Sequence, residues 1–487
     1  MATDPALRRL ALGTLLAAFH GPTPPPWALD LLADGLAGHT LFGTNIGTFR
    51  EVVATTTALR QARGDALIAI DEEGGDVTRL DHATGSRYPG NAALGAVDDP
   101  VLTARIYAAI GANLAAGGIN LNFAPTVDVN SADENPIIGT RSFGADPQRV
   151  AAHAAAAVTG LQSTGVAGCA KHFPGHGATV ADSHLELPTV DVPVEVLRRR
   201  DLPPFAAAVA AGARAVMTAH IRVPALTGDA PATFSRAVLV DLLRGELGFT
   251  GVVVTDALEM KGATLAAGGV GPGAVRALAT GADLLCIGAT VDAALVEQTA
   301  DAVVTAVTDG RLPLARLEEA AARTAALAAW ARPEPPGTFT EADLGYAVAR
   351  RAVRVEGSLD GLAGPLVIRL HSGSTLVQER VPWGLGPHLD DGAELQIVAA
   401  DTDVATLRAL AGPRPIVVVG RRLHRFPATR ALVDALAAAH PVTVVEMGWP
   451  SAWRPADARA FVITHGASHA NARAAAELLG LIPNPAA

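Results

Sequence analysis

Cysteine is scarce in this chain. Cys169 and Cys286 are the only two in 487 residues, and each sits inside an apolar, strand-like run. That excludes a disulfide-stapled scaffold and a cysteine-rich metal site, and it reads as two buried thiols in a reducing compartment. Aromatic residues are also few, at 4%, while alanine is abundant. No apolar run approaches the length of a membrane span. The chain has no basic excess either, and its net charge of −10 argues against a nucleic-acid partner. Arg8-Arg9 followed by Leu10 to Phe19 loosely resembles an export signal. The run is short and has no small-x-small cleavage site, so it reads instead as the first core strand and its loop. The expectation is a cytoplasmic monomer or homodimer with no membrane or nucleic-acid partner.

What is present suits a large globular protein. Hydrophobic residues make up 49% and charged residues 18%, enough for an ample core. The length predicts two or three domains. Short apolar runs predict strands near Leu10–Leu15, His39–Phe42, Ala66–Ile70, Asn120–Phe123, Ala167–Ala170, Ala215–Thr218, Gly251–Thr255 and Asp283–Ile287. Helical patterns fall between them, among them Trp27–Ala37, Arg50–Arg63, Leu102–Ala116, Gln148–Ser163, Val194–Ala211, Arg236–Glu246 and Gly273–Thr280. Eight alternations over roughly 330 residues predict a (β/α)8 TIM-like barrel.

The pattern changes near Arg332-Pro333-Glu334-Pro335-Pro336-Gly337, a linker-like segment. The predicted organisation is a barrel over 1–331, a linker over 332–345 and a smaller three-layer α/β sandwich over 346–487. Its strands are predicted at Leu366–Leu370, Leu395–Ala399, Pro415–Val419, Pro441–Val445 and Phe461–Thr464, after a helix near Glu341–Val353. Ser468 is placed to cap a helix over Asn471–Leu479. This half has no G-x-G-x-x-G or P-loop segment.

Polar residues gather at one end of the predicted strands. Asp71 follows the third, Asp128 lies beyond the fourth, Lys171 and His172 follow the fifth, His220 the sixth and Asp256 the seventh. Barrel active sites are built on that face. Four segments carry the chemistry. Asp71-Glu72-Glu73-Gly74-Gly75-Asp76-Val77-Thr78-Arg79-Leu80 offers a carboxylate and an arginine to a polar ligand, with two glycines for close backbone approach; the alternative is an acidic surface turn. Asn135 to Gly144 carries Arg141, either a fork donor to ligand or a surface arginine. Lys171-His172-Phe173-Pro174-Gly175-His176-Gly177, with Asp182-Ser183-His184 behind it, is too polar to be bought by packing alone. Asp182 can orient His184 and raise its basicity, as a general acid/base requires. Pro174 and Gly175 exclude a helix between His172 and His176, which disfavours a zinc site of the helical two-histidine kind. Val252 to Met260 ends a strand at Asp256, a carboxylate suited to be a nucleophile opposite Lys171, with Met260 as pocket wall. His220 reads as a strand-end hydrogen bonder. No metal or cofactor is expected.

On these residues the chain resembles glycoside hydrolase family 3, in its β-N-acetylglucosaminidase (β-N-acetylhexosaminidase) branch. The similarity runs from about Leu10 to about Trp330 and rests on DEEGGDVTRL, NPIIGTRSFG, KHFPGHG with the trailing DSH, and VVVTDALEM. It implies a retaining exo-hydrolase acting on a small carbohydrate, terminal β-linked N-acetylglucosamine of peptidoglycan fragments or chitooligosaccharides. By the resemblance, Asp256 is the nucleophile and His184 the acid/base, assisted by Asp182. Asp71, Arg79, Arg141, Lys171 and His172 hold the sugar. Phosphorolysis on the same scaffold, β-glucosidase-type specificity and a sugar-binding protein without activity are the other readings. One departure stands out: family members often carry arginine where this chain has Asp76.

Overall fold

Runs rich in valine, leucine and isoleucine bury both of their faces here, as parallel strands do when helices cover the sheet. The structure is a computed structural model describing residues 4–182, 185–288, 291–333, 343–371, 381–389 and 393–483. The chain divides into two units. The first holds Met1–Glu72, Pro100–Ile138 and Ala145–Thr340; the second holds Glu73–Asp99, Gly139–Gly144 and Glu341–Ala487.

In the first unit, eight parallel strands run in chain order around a sheet. They are β1 (Leu15–Ala17), β2 (Gly38–Leu41), β3 (Leu67–Ile70), β4 (Leu121–Asn122), β5 (Ala167–Phe173), β6 (Ala215–Thr218), β7 (Val252–Thr255) and β8 (Leu285–Ile287). β8 pairs with β1, and Val254 of β7 bridges Leu284 beside β8, so the sheet closes. This is the (β/α)8 barrel that the alternation predicts. Its interior is filled by inward side chains such as Leu67, Leu121, Cys169, Val254 and Cys286. Helices of 14 to 17 residues at Phe49–Ala62, Pro100–Ala116, Pro147–Gln162 and Ala293–Thr308 cover the outside.

Three elements differ from expectation. Leu10–Leu15 is not the first strand: Pro5–Leu12 is a helix, started by Pro5 and by the Asp4 side chain accepting the Ala6 N–H. Such a cap outweighs the apolar run that follows. Val194–Ala211 is two helices, Val194–Arg200 and Leu202–Ala210. Pro203 and Pro204 cannot continue a helix, but they fit the first turn of a new one. β5 runs to Phe173, three residues past its predicted end, with a register shift against β6 between Ala170 and Phe173.

The second unit has a six-stranded sheet. Its strands are β9 (Arg354–Gly357), β10 (Leu366–Leu370), β11 (Glu394–Ile397), β12 (Ile416–Gly420), β13 (Val442–Glu446) and β14 (Ala460–Ile463), in the order β11-β10-β12-β13-β14-β9. All pairings are parallel except that of β9. Ile416, Val418 and Val444 pack under the helix Pro427–Ala439, while Val417, Val419 and Val445 pack under His469–Leu478. Alternate side chains thus serve opposite faces, giving a three-layer α/β sandwich. The unpredicted strand, β9, is exposed at all four residues and carries Arg354 and Glu356, so it has no apolar signature. Ser468 caps its helix by accepting the Asn471 N–H at 3.1 Å.

Candidate active site

Two of the barrel's strands, β3 and β7, are followed directly by an aspartate. The first residue beyond a strand is free to face the opening. Asp71 follows β3 directly, and its Oδ1 lies 2.6 Å from Lys171 Nζ in β5. The lysine side chain is 2% exposed and the aspartate 19%, so the cation is buried and its partner looks outward. Asp256 follows β7, and its Oδ1 accepts the N–H of Ala257 at 2.8 Å. Cys169 lies beneath these groups. Burial pushes its thiol well up; the charge of Lys171 works against that, while Asp71 and Asp256 add to it. Burial, then Asp256, act likewise on Cys286. Lys171, Asp71 and Asp256 therefore converge above the barrel interior.

Next to them stands a buried carboxylate. Asp128, wholly enclosed, accepts the Nδ1 proton of His172 (2.7 Å) and the N–H of His176 (2.7 Å). The N–H of His172 points to the same carboxylate at 3.2 Å. Burial alone would raise the pKa of Asp128, but the charge and hydrogen bond of His172, with help from His176, hold it below the usual range. His176 itself is pushed down to about 4, first by burial and then by the charge of His172, so at neutral pH it is uncharged. Its Nδ1 meets Thr179 Oγ1 at 2.7 Å. The peptide between Lys171 and His172 is cis.

The expected site residues are distributed as follows. Asp71, Lys171, His172 and Asp256 come together in the first unit. Met260 is also there, 7% exposed, its N–H bonded to Ala257 O at the start of the helix Lys261–Ala267. The Asp182 carbonyl accepts the N–H groups of Leu185 and Glu186, both at 3.0 Å. His184 and Ser183 lie outside the described residues. Arg79 and Arg141 belong to the second unit. Arg141 puts Nε and Nη2 on the two oxygens of Glu73, at 2.9 and 2.8 Å, with both side chains almost fully buried. Arg79 is 2% exposed.

The glycine pair serves the backbone. Gly75 has φ +66°, and a Cβ there would lie 2.4 Å from Gly90 Cα. Asp76 then binds within its own unit, accepting from Thr140 Oγ1 and from the N–H of Ala467, both at 2.8 Å, with Arg421 Nη2 4.0 Å away.

Sequence reasoning gave Asp128 no role. The signal was available: a lone carboxylate between Val127 and Val129 at a strand end, where burial demands partners. Among the described residues, no group of three or more histidine, cysteine, aspartate or glutamate side chains could hold a metal ion. No described helix is long and apolar enough to cross a membrane.

The family model described as "Glycosyl hydrolase family 3 N terminal domain" matches residues 28–327. Beta-hexosaminidase A of Pseudoalteromonas piscicida is 39% identical over 262 residues, which span 49% of this chain and 44% of that relative, less than half its length. The beta-hexosaminidase of Stenotrophomonas maltophilia (strain K279a) is 41% identical over 272 residues, 54% of this chain and 79% of that one. Among solved structures, a glycoside hydrolase family 3 beta-N-acetylglucosaminidase from Paenibacillus sp. str. FPU-7 matches with a TM-score of 0.87 at 34% identity, covering 98% of this chain and 97% of that one. A match of this extent, on a barrel whose acidic residues gather at the strand ends, makes the chain a member of glycosyl hydrolase family 3 and a glycoside hydrolase.

Proposed function

We propose that the chain is a retaining exo-β-N-acetylglucosaminidase. It releases terminal β-linked N-acetylglucosamine from peptidoglycan fragments or chitooligosaccharides. The observation that carries this reading is the convergence of Asp256 with the Asp71–Lys171 pair above Cys169. The names and likeness of the relatives support the choice of sugar.

The mechanism has two steps. Asp256 attacks the anomeric carbon while the glycosidic bond breaks, giving a glycosyl-aspartate. His184, oriented by Asp182, gives its proton to the leaving oxygen. The same imidazole then takes a proton from water, which attacks the anomeric carbon and frees Asp256 with net retention. Lys171, Asp71 and His172 hold sugar hydroxyls. Charge-assisted hydrogen bonds of this kind fix the ring for in-line attack.

The test is a panel of aryl β-glycosides (N-acetylglucosaminide, glucoside, xyloside), run with and without phosphate, with the first-formed anomer read by NMR. The β-anomer of free N-acetylglucosamine is expected. Sugar 1-phosphate as the main product makes the chain a phosphorylase, and preference for the glucoside overturns the assigned sugar. An Asp256→Ala variant with parental turnover removes the nucleophile.

A further inference from the structure

His220 has no solvent exposure, yet both of its ring nitrogens are engaged. Nε2 lies 3.0 Å from the carbonyl oxygen of Ala257. A carbonyl only accepts, so Nε2 carries the proton. Nδ1 lies 2.8 Å from Thr233 Oγ1, and that hydroxyl also meets Thr218 Oγ1 at 2.8 Å and Ala219 O at 3.1 Å. The ring is thus locked from two sides. An apolar side chain would fill a buried strand end at lower desolvation cost. What the imidazole adds is a directed hydrogen bond to a single peptide unit.

That peptide unit belongs to the turn after Asp256. Ala257 gives its N–H to Asp256 Oδ1 and its carbonyl to His220. The same carbonyl accepts from the N–H of Met260 at 3.1 Å. On the opposite flank the turn is tied to β8. Leu258 N–H bonds Cys286 O at 3.0 Å, and Glu259 Oε2 accepts from the Gly288 N–H at 2.9 Å. One strand neighbour therefore holds the turn through backbone and a carboxylate, while on the other flank His220 holds it through the carbonyl of Ala257.

We infer that His220, backed by Thr233, is a positioning residue for Asp256. It fixes the orientation of the 256–257 peptide and so aims the carboxylate at the anomeric carbon. The inference rests on the reading of Asp256 as nucleophile. Small errors in such aim are costly, since misplacement by about 1 Å costs on the order of 100-fold in rate.

The experiment uses the full chain with His220→Leu, His220→Gln, Thr233→Val and Asp256→Asn, each checked for folding by circular dichroism and thermal melting. The readouts are kcat/KM on activated and unactivated aryl N-acetylglucosaminides, and competitive inhibition by N-acetylglucosamine. In His220→Leu, kcat/KM should fall about 10- to 100-fold on both substrates, with the inhibition constant within about threefold of parent. His220→Gln, whose amide nitrogen can reach the same carbonyl, should regain most of the loss. Thr233→Val should show a smaller loss of the same kind. The inference is overturned if a folded His220→Leu keeps parental kcat/KM, if product inhibition weakens in proportion, or if Gln does no better than Leu. Asp256→Asn separates the two claims. If it is inactive while His220→Leu is unaffected, only the inference fails. If it is active, the nucleophile assignment fails and takes the inference with it.

Discussion

Asp128 holds His172 by the ring and by the backbone at once: its Oδ2 is 2.7 Å from Nδ1 and 3.2 Å from the His172 N–H, and its Oδ1 takes the His176 N–H at 2.7 Å. One enclosed carboxylate thereby fixes the tautomer of His172 and both ends of the segment between the two histidines. Asp128→Asn keeps the shape but turns an acceptor into a donor facing N–H groups. Removing one partner of a buried pair costs about 3–5 kcal/mol, so a clear fall in melting temperature is expected, together with a loss in kcat/KM. A double-mutant cycle with His172→Ala checks the assignment. A coupling energy near zero would mean the two groups act separately.

Lys171 is one of two lysines among 38 basic residues, the other being Lys261. In a chain that otherwise uses arginine, a lysine 2% exposed against Asp71 points to a need for a compact charge. Lys171→Arg should therefore not rescue function. Hydrogen bonds to charged groups are worth about 1.5–3 kcal/mol, so Lys171→Ala and Lys171→Arg should each lose roughly 10- to 100-fold in kcat/KM, at about 1.4 kcal/mol per tenfold. Steady-state kinetics on the aryl N-acetylglucosaminide decide it; parental kinetics in Lys171→Arg would remove the argument for lysine.

Asp76 resolves the departure from the family pattern. It is 6% exposed and joins three segments of its unit, at Thr140, Ala467 and Arg421. Restoring the more usual arginine would set a second cation beside Arg421 and leave the Ala467 N–H without its acceptor. Asp76→Arg should lower the melting temperature more than Asp76→Asn, with differential scanning calorimetry as the measurement. Equal melting temperatures would show that the charge does not matter.

The barrel was legible because its strands are contiguous apolar runs and its helices have clear starts. The positions of Asp71 and Asp256 were legible for a related reason, since a charged residue directly after an apolar run has the strand end to occupy; Lys171, expected past the fifth strand, lies within it. Partners were not legible. Nothing local says that Glu73 will take the fork of Arg141 across 68 positions, or that Asp76 will meet a backbone N–H 391 positions on. Local signals also misled where a cap outweighed periodicity, as at Asp4-Pro5, and where an edge strand had no apolar face, as at Arg354–Gly357.

His388 supplies a pH prediction for the second unit. Its ring lies 4.3 Å from that of His469, and Nε2 gives its proton to His469 O at 3.1 Å. Burial, then the charge of His469, push His388 down to about 4, against an ordinary histidine value of about 6.5. Between those values the unfolded chain binds the proton and the folded chain does not, so stability rises with pH across that window. Its contribution is full above pH ~6.5 and is lost progressively as pH falls toward 4. Asp201, raised to about 6, and Glu446, raised to about 7, both chiefly by burial, titrate in the opposite sense. The measurement is therefore the difference in stability between parent and His388→Gln at several pH values. That difference should shrink below pH ~6.5; a flat difference would place the His388 pKa at its ordinary value.

The acid/base assignment makes the sharpest kinetic demand. If His184 protonates the leaving oxygen, His184→Ala must slow glycosylation most where the leaving group is a poor one. General acid catalysis is worth roughly 10²- to 10⁴-fold. A dinitrophenyl glycoside leaves without a proton, so its first step should be nearly spared, and the glycosyl-enzyme should accumulate because no base activates water. Added azide needs no base and should discharge that intermediate, restoring turnover and giving a β-glycosyl azide. Asp182→Asn should show the same pattern more weakly, because it removes the orienting carboxylate and leaves the imidazole. Equal losses on activated and unactivated substrates, with no response to azide, would assign the proton to another group and leave His184 with a binding role.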